Sequence, residues 1–141
     1  MSIGFIIAIL ISYLIGSLPF GYWIARLLGK DITQEGSKNI GATNVARVLG
    51  RGPGLLVFVF DVFKGFLPAF IGGQILSEQH TYLIASVVLG TSAVMGHMYS
   101  VWLRFKGGKG VATALGVLFA VTPYVALIAL GVFILCFAIC R

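Results

Sequence analysis

The sequence predicts an all-α integral membrane protein: a polytopic helical bundle of four to five membrane helices, built as a single domain over residues 1–141. Three observations predict it. Hydrophobic residues make up 59% of the chain and charged residues only 10%, against about a quarter charged in ordinary soluble domains. Several apolar runs exceed the roughly 18 residues that mark a membrane span, and within a bilayer the backbone must satisfy its own hydrogen bonds, which favours helices. Finally, the basic residues are clustered. Arg26, Lys30, Lys38, Arg47 and Arg51 surround one polar segment, and Arg104, Lys106 and Lys109 form a second group.

The elements follow in order. A first span is predicted over Ile3–Leu28. It is too long for a signal-peptide core and has no basic residue before it, so it reads as a span and not as a cleaved leader. Gly16, Ser17, Pro19 and Gly21 predict a bend near its middle, and Ser17 and Gly21, four apart, suit close helix packing. Residues 29–52 read as a long polar loop, Pro53–Leu76 as the second span and Tyr82–Leu103 as the third. The connection Ser77–Thr81 carries Glu78 and His80 but no Lys or Arg. The positive-inside rule then places the N-terminus and this short turn outside and both basic segments in the cytoplasm. Val111–Cys140 is too long for one straight span, and Thr122-Pro123 divides it. A short or partly re-entrant helix is expected over Val111–Val121, and another over Pro123–Cys140. Cys136 and Cys140, four apart, read first as apolar filler, since buried cysteine behaves as a small hydrophobe, ahead of a disulfide and then a metal site.

Candidate chemistry lies in the two basic segments. The first contains GSKNIGATNVAR, Gly36–Arg47. A connection of more than twenty residues exceeds what a helix turn needs. Gly36 and Gly41 permit backbone conformations that aim several N–H groups at one point, an anion nest. Ser37, Asn39, Thr43 and Asn44 add neutral donors, and the planar fork of Arg47 suits phosphate. The competing reading is a loop of turn-forming residues bonded to their own backbone. The second segment is RFKGGKGVAT, Arg104–Thr113. Gly107, Gly108, Lys109 and Gly110 immediately precede an expected helix start at Val111, where free N–H groups and the helix dipole favour phosphate. Lys106 and Lys109 add charge. The alternative is a basic interfacial turn among lipid headgroups. The segment is not a Walker A loop, because Leu103 stands where its first glycine belongs and Gly110 follows the lysine.

Inside the membrane, Asp61 and Lys64 are spaced i, i+3 and share a helix face. Charges at such depth usually face the bundle interior. They predict an ion pair or polar anchors on the site-facing side, with an ion or proton path as the alternative. His97 lies near the end of the third span and reads either as a packing hydrogen bonder or as a site residue beside the basic loop. No Gly-x-Ser-x-Gly elbow occurs. Nor is either histidine followed five positions later by Asp: Ala85 follows His80 and Trp102 follows His97.

Four blocks, GSLPFGYWIA (Gly16–Ala25), GSKNIGATNVAR (Gly36–Arg47), DVFKG (Asp61–Gly65) and GHMYSVWLRFKGGKGVAT (Gly96–Thr113), resemble the PlsY family of bacterial membrane acyltransferases. The resemblance covers nearly the whole chain. It implies transfer of a fatty acyl group from acyl phosphate to the 1-hydroxyl of glycerol 3-phosphate, giving lysophosphatidic acid and inorganic phosphate. That is the first acylation of bacterial phospholipid synthesis, at the cytoplasmic (inner) membrane. It implies Ser37 and Arg47 as essential residues, with Asn39, Thr43 and Asn44 beside them. Lys106, Gly107, Gly108, Lys109 and Gly110 would form the glycerol 3-phosphate loop. No cofactor, metal or nucleic acid is implied; the partners are the two substrates and membrane lipids. The family has about seven spans and a third motif with His, Asn and Glu, which is expected to be missing from residues 1–141. Ser100 replaces the Pro expected after GHMY.

Acyl phosphate is a mixed anhydride, so no acyl-enzyme is required. The task is to hold a hydroxyl near a carbonyl and to stabilise charge on two phosphates. On this reading Ser37 and Lys106 orient the reacting groups, Arg47 and Lys109 hold phosphates, and a substrate phosphate accepts the hydroxyl proton. The alternatives are an organic-phosphate transporter and an inactive shortened form.

Overall fold

The computed structural model describes residues 3–75 and 82–139, with the side chains of Ile75 and Phe137 excepted. The predicted turn with Glu78 and His80, the end of the second span at Leu76, and Cys140 lie outside the described residues. Those residues form seven α-helices and no strand: α1 Ile3–Gly16, α2 Phe20–Leu27, α3 Ala42–Leu49, α4 Arg51–Ile75, α5 Tyr82–Met98, α6 Val111–Val121 and α7 Pro123–Ile139. A 3-10 turn, Val101–Leu103, extends α5.

Three stretches are long and apolar enough to cross a membrane: Ile3–Leu27, Arg51–Gln74 and Tyr82–Leu103. Helix α6 is about 16 Å long and α7 about 25 Å at 1.5 Å per residue, each short of a roughly 30 Å hydrocarbon core. Pro123 opens α7, where its missing N–H costs nothing. The outward faces are apolar: Leu55, Val59, Phe63, Ile84 and Val87 are exposed, as are Leu127, Ile128 and Leu135. Cys136 is a free thiol on the exposed side of α7.

The expected bend in the first span is a complete break. Leu18 N–H turns back to Ile15 O at 3.3 Å, and Pro19 has no N–H to continue the ladder. Two carbonyls are left without helical donors, and side chains from other helices meet them. Ser100 Oγ donates to Ser17 O at 2.6 Å, and Lys64 Nζ donates to Leu18 O at 2.8 Å. Unsatisfied buried carbonyls would each cost about 1–3 kcal/mol, so these two side chains make the break tolerable.

Helix contacts are made by small residues, as expected where lipid tails compete with apolar side chains. Gly16 lies against the Ala93 backbone and Gly96 against that of Tyr13, joining α1 to α5. Gly65 lies against Thr113 O and Gly116 against Val62 O, joining α4 to α6.

Residues 29–52 are not a loop throughout. Eight of them form α3, and α4 begins at Arg51, two residues before the expected start at Pro53. Pro53 fits there because first-turn amides have no helical acceptor. The segment has its own apolar core: Ile32, Ile40 and Val45 are buried with Ala25 of α2 and Val57 of α4. This small core seats the connection on the bundle.

Candidate active site

The first segment is shaped by its amides. Gly36 and Lys38 both take positive φ, 58° and 59°. Asn44, 2% exposed, sits at the hub. Its Oδ1 accepts from Ser37 N–H at 2.7 Å. Its Nδ2 donates to Asn39 O at 2.8 Å, Glu35 O at 3.1 Å and Ile32 O at 3.4 Å. Asn39 Oδ1 in turn accepts from Gly41 N–H at 2.8 Å. These amide groups therefore build the loop, and the anion-nest and turn-former readings both have a place in it. Outside the membrane, Asp31 organises the approach. It accepts from Thr33 Oγ1 at 2.6 Å and Thr33 N–H at 3.1 Å and pairs with Arg26 at 2.7 Å. The Thr33 hydroxyl above all, helped more weakly by its N–H and the Arg26 charge, holds the Asp31 carboxyl below its ordinary value against desolvation, the second-largest effect.

The second segment folds back onto the end of α5. Arg104 and Phe105 take positive φ, 54° and 62°. Gly107 N–H then donates to Met98 O, and Gly108 N–H to His97 O, both at 3.0 Å. A Cβ on Gly107 would overlap His97 O, and one on Gly108 would overlap His97 Nε2. These glycines are thus needed for close approach, and their amides are already engaged. Lys106 sits in the exposed turn before them, with its N–H bonded to Leu103 O. Gly110, φ 77°, precedes α6. The Ala114 N–H to Gly110 O bond opens the helical ladder, so the earlier amides of α6 have no partner within the helix.

Both segments line one cavity of about 740 Å³. Ser37, Asn39, Thr43, Asn44 and Arg47 come from the first, and Lys109 and Gly110 from the second. Val111 and Ala112 bring the α6 N-terminus, Asp61 comes from α4 and His97 from α5. Phe58, Leu115, Leu118, Leu130 and Phe133 form an apolar side. The α6 dipole and the cations Arg47 and Lys109 make the polar end favourable for anions. Lys106, Gly107, Gly108 and Lys64, expected among the site residues, are not part of this wall.

Asp61 and Lys64 do form the predicted ion pair, 2.8 Å apart and each 3% exposed at the side chain. His97 Nδ1 lies 3.6 Å from the same Asp61 oxygen, too far for a hydrogen bond. Sequence reasoning missed the Lys64 bond to Leu18 O. The apolar wall from α6 and α7 also went unassigned, since nothing separates its residues in sequence from lipid-facing ones.

The chain matches the family model described as glycerol-3-phosphate acyltransferase over residues 6–141. Curated relatives bearing that name include one from Aquifex aeolicus, 50% identical over 133 residues, which cover 89% of this chain and 66% of the relative. Another, from Desulfotalea psychrophila, is 48% identical over 124 residues, covering 88% of this chain and 63% of the relative. Among solved structures, PlsY, an integral membrane glycerol 3-phosphate acyltransferase, matches in its glycerol 3-phosphate form with a TM-score of 0.83 and 46% identity, over 93% of this chain and 66% of that one. Its lysophosphatidic acid form matches with a TM-score of 0.80 over 90% and 61%. The chain thus spans under two thirds of the length of the first curated relative. The transporter alternative finds no support among these names.

Proposed function

Because this chain belongs to the glycerol-3-phosphate acyltransferase family, we propose that it transfers a fatty acyl group from acyl phosphate to the 1-hydroxyl of glycerol 3-phosphate. The observation that carries the proposal is the shared cavity, where Arg47 from one segment and Lys109 with the α6 N-terminus from the other face the same space beside an apolar wall. A volume of about 740 Å³ falls in the range of small-molecule sites. The polar end takes the two phosphates. The side formed by Phe58, Leu118 and Phe133 takes the start of the alkyl chain.

In the reaction the acceptor hydroxyl oxygen attacks the acyl carbonyl. A new C–O ester bond forms, the bond between carbonyl carbon and phosphate oxygen breaks, and the hydroxyl proton passes to a phosphate oxygen. The products are lysophosphatidic acid and inorganic phosphate. Arg47 neutralises the acyl phosphate with its planar fork. Lys109 and the free amides of α6 hold the phosphate of the acceptor. Ser37, fixed through Asn44, orients the reacting groups. Lys106, outside the wall, adds positive charge to the second segment. Asn39 shapes the first segment, Gly107 and Gly108 hold the second against His97 and the end of α5, and Thr43 on the cavity wall contacts the substrates. Catalysis of this kind is mainly positioning and charge stabilisation. By the distribution of basic residues, the site opens to the cytoplasm and the N-terminus lies outside the bacterial inner membrane.

The test supplies acyl phosphate to membranes carrying the full-length protein, with and without glycerol 3-phosphate. Phosphate and lysophosphatidic acid should appear one to one, and only when the acceptor is present. Phosphate release that is indifferent to glycerol 3-phosphate would refute the assignment.

A further inference from the structure

The cavity wall contains one acid, Asp61, and its presence in an anion site calls for a reason. A carboxylate repels phosphate. A buried ion pair in a membrane-spanning helix is also expensive compared with apolar residues of similar size. Lys64 compensates the charge at 2.8 Å, so the pair leaves the phosphate region electrically neutral and still presents a carboxylate to the cavity.

The other amide acceptors on the wall are already occupied. Asn44 Oδ1 takes the Ser37 N–H and Asn39 Oδ1 takes the Gly41 N–H. Lys64 approaches Asp61 through Oδ1, the same oxygen that His97 approaches. Neither approach is a formed hydrogen bond, so Asp61 Oδ1 is a buried acceptor without a hydrogen-bond partner among the described residues. An ionised carboxylate only accepts. Arg47, Lys109 and the α6 amides are suited to phosphate oxygens, whereas Asp61 is suited to an O–H.

The acceptor substrate carries such a group besides its phosphate and the hydroxyl that is acylated. We infer that Asp61, held in place by Lys64, is the specificity-determining residue that accepts a hydrogen bond from the non-reacting hydroxyl of the polyol phosphate. Lys64 is a positioning residue, tied at once to Asp61 and to Leu18 O. This inference rests on the acyltransferase reading. A purely architectural role, with Lys64 capping the broken helix and Asp61 balancing its charge, makes a different prediction, because it is indifferent to which acceptor is used.

The experiment compares glycerol 3-phosphate with 3-hydroxypropyl phosphate, which keeps the phosphate and the primary hydroxyl and lacks the secondary one. The readout is the ratio of kcat/KM for the two acceptors, in which the amount of folded protein cancels. A site built around a hydroxyl discriminates against its absence, and a hydrogen bond to a charged group predicts a wild-type preference of about 10- to 100-fold. In Asp61→Asn the preference should fall to within about 3-fold. The double variant Asp61→Asn/Lys64→Gln, which removes both charges and keeps a donor for Leu18 O, should behave alike. If either variant no longer turns over, the ratio of dissociation constants for the two acceptors, measured by calorimetry on the folded protein, replaces the kinetic ratio with the same expectation. A wild-type ratio near one, or a preference that survives both variants, overturns the inference while leaving the acyltransferase reading intact. Absence of any transfer to glycerol 3-phosphate by the wild type overturns that reading and this inference together.

Discussion

Replacing Asn44 by Ala separates loop architecture from substrate contact. The side chain accepts one bond, 2.7 Å from Ser37 N, and its two amide hydrogens make their shorter bonds to Asn39 O at 2.8 Å and Glu35 O at 3.1 Å, the 3.4 Å contact with Ile32 O being the weakest. At a net of about 1 kcal/mol per bond, their loss weakens the closed loop by about 3 kcal/mol. That corresponds to about a 100-fold fall in the equilibrium for loop closure. The damage is local, because the apolar seat of Ile32, Ile40 and Val45 is untouched. Hydrogen exchange at the Ser37 and Gly41 amides should therefore accelerate by that order while the membrane helices keep their protection, and acyl transfer should fall with loop closure. Asn44→Asp is a sharper probe. It keeps the acceptor for Ser37 but turns a carboxylate oxygen toward the carbonyls of Asn39 and Glu35, so it should be no better than Ala. Unchanged exchange at Ser37 in Asn44→Ala, with transfer within about twofold of wild type, is incompatible with three net bonds of that size.

Gly116→Ala should cost about 1–3 kcal/mol in unfolding free energy by overpacking, because its Cβ would overlap Val62 O and meet Phe66 N at 2.8 Å. The displaced α6 should also lose activity by about 100-fold; an unaltered melting profile would contradict the α4–α6 packing. Arg47→Lys keeps the charge but loses the fork, so apparent KM for acyl phosphate should rise by about tenfold, as steady-state kinetics would reveal. In Thr33→Val the Asp31 carboxyl loses the hydroxyl bond that most lowers its titration. Since its folded pKa lies below its unfolded one, its contribution is fully present above the unfolded value and lost as pH falls through the folded value. The variant should titrate at higher pH and lose that contribution sooner on acidification, as followed by carboxyl carbon NMR.

Much of the architecture was legible because bilayer physics leaves few options. Long apolar runs gave the three spans, Thr122-Pro123 gave the α6–α7 break, and charge clustering identified the two segments that meet at the cavity. Within those segments, residue type alone could not separate scaffold from contact. Asn44 has the same donors whether it serves a ligand or the backbone, and only the fold reveals that its amide is spent on Ser37, Asn39 and Glu35. Gly107 and Gly108 likewise read as a phosphate loop, yet their amides go to Met98 O and His97 O. Helix α3 stayed hidden because eight residues with an Ala-Thr-Asn start carry little helical signal and gain their order from packing Val45 over Val57. The Lys64–Leu18 bond links residues 46 apart, a pairing that no local pattern encodes.

The central claim is that one small phosphate ligand touches both basic segments, and thiol protection tests it most directly. With Cys136 and Cys140 replaced by Ser, cysteines at Thr43 and Ala112, both on the cavity wall, are labelled separately with a water-soluble maleimide. Glycerol 3-phosphate should slow both reactions with a common half-saturating concentration. Protection of one position with none at the other would contradict a shared site.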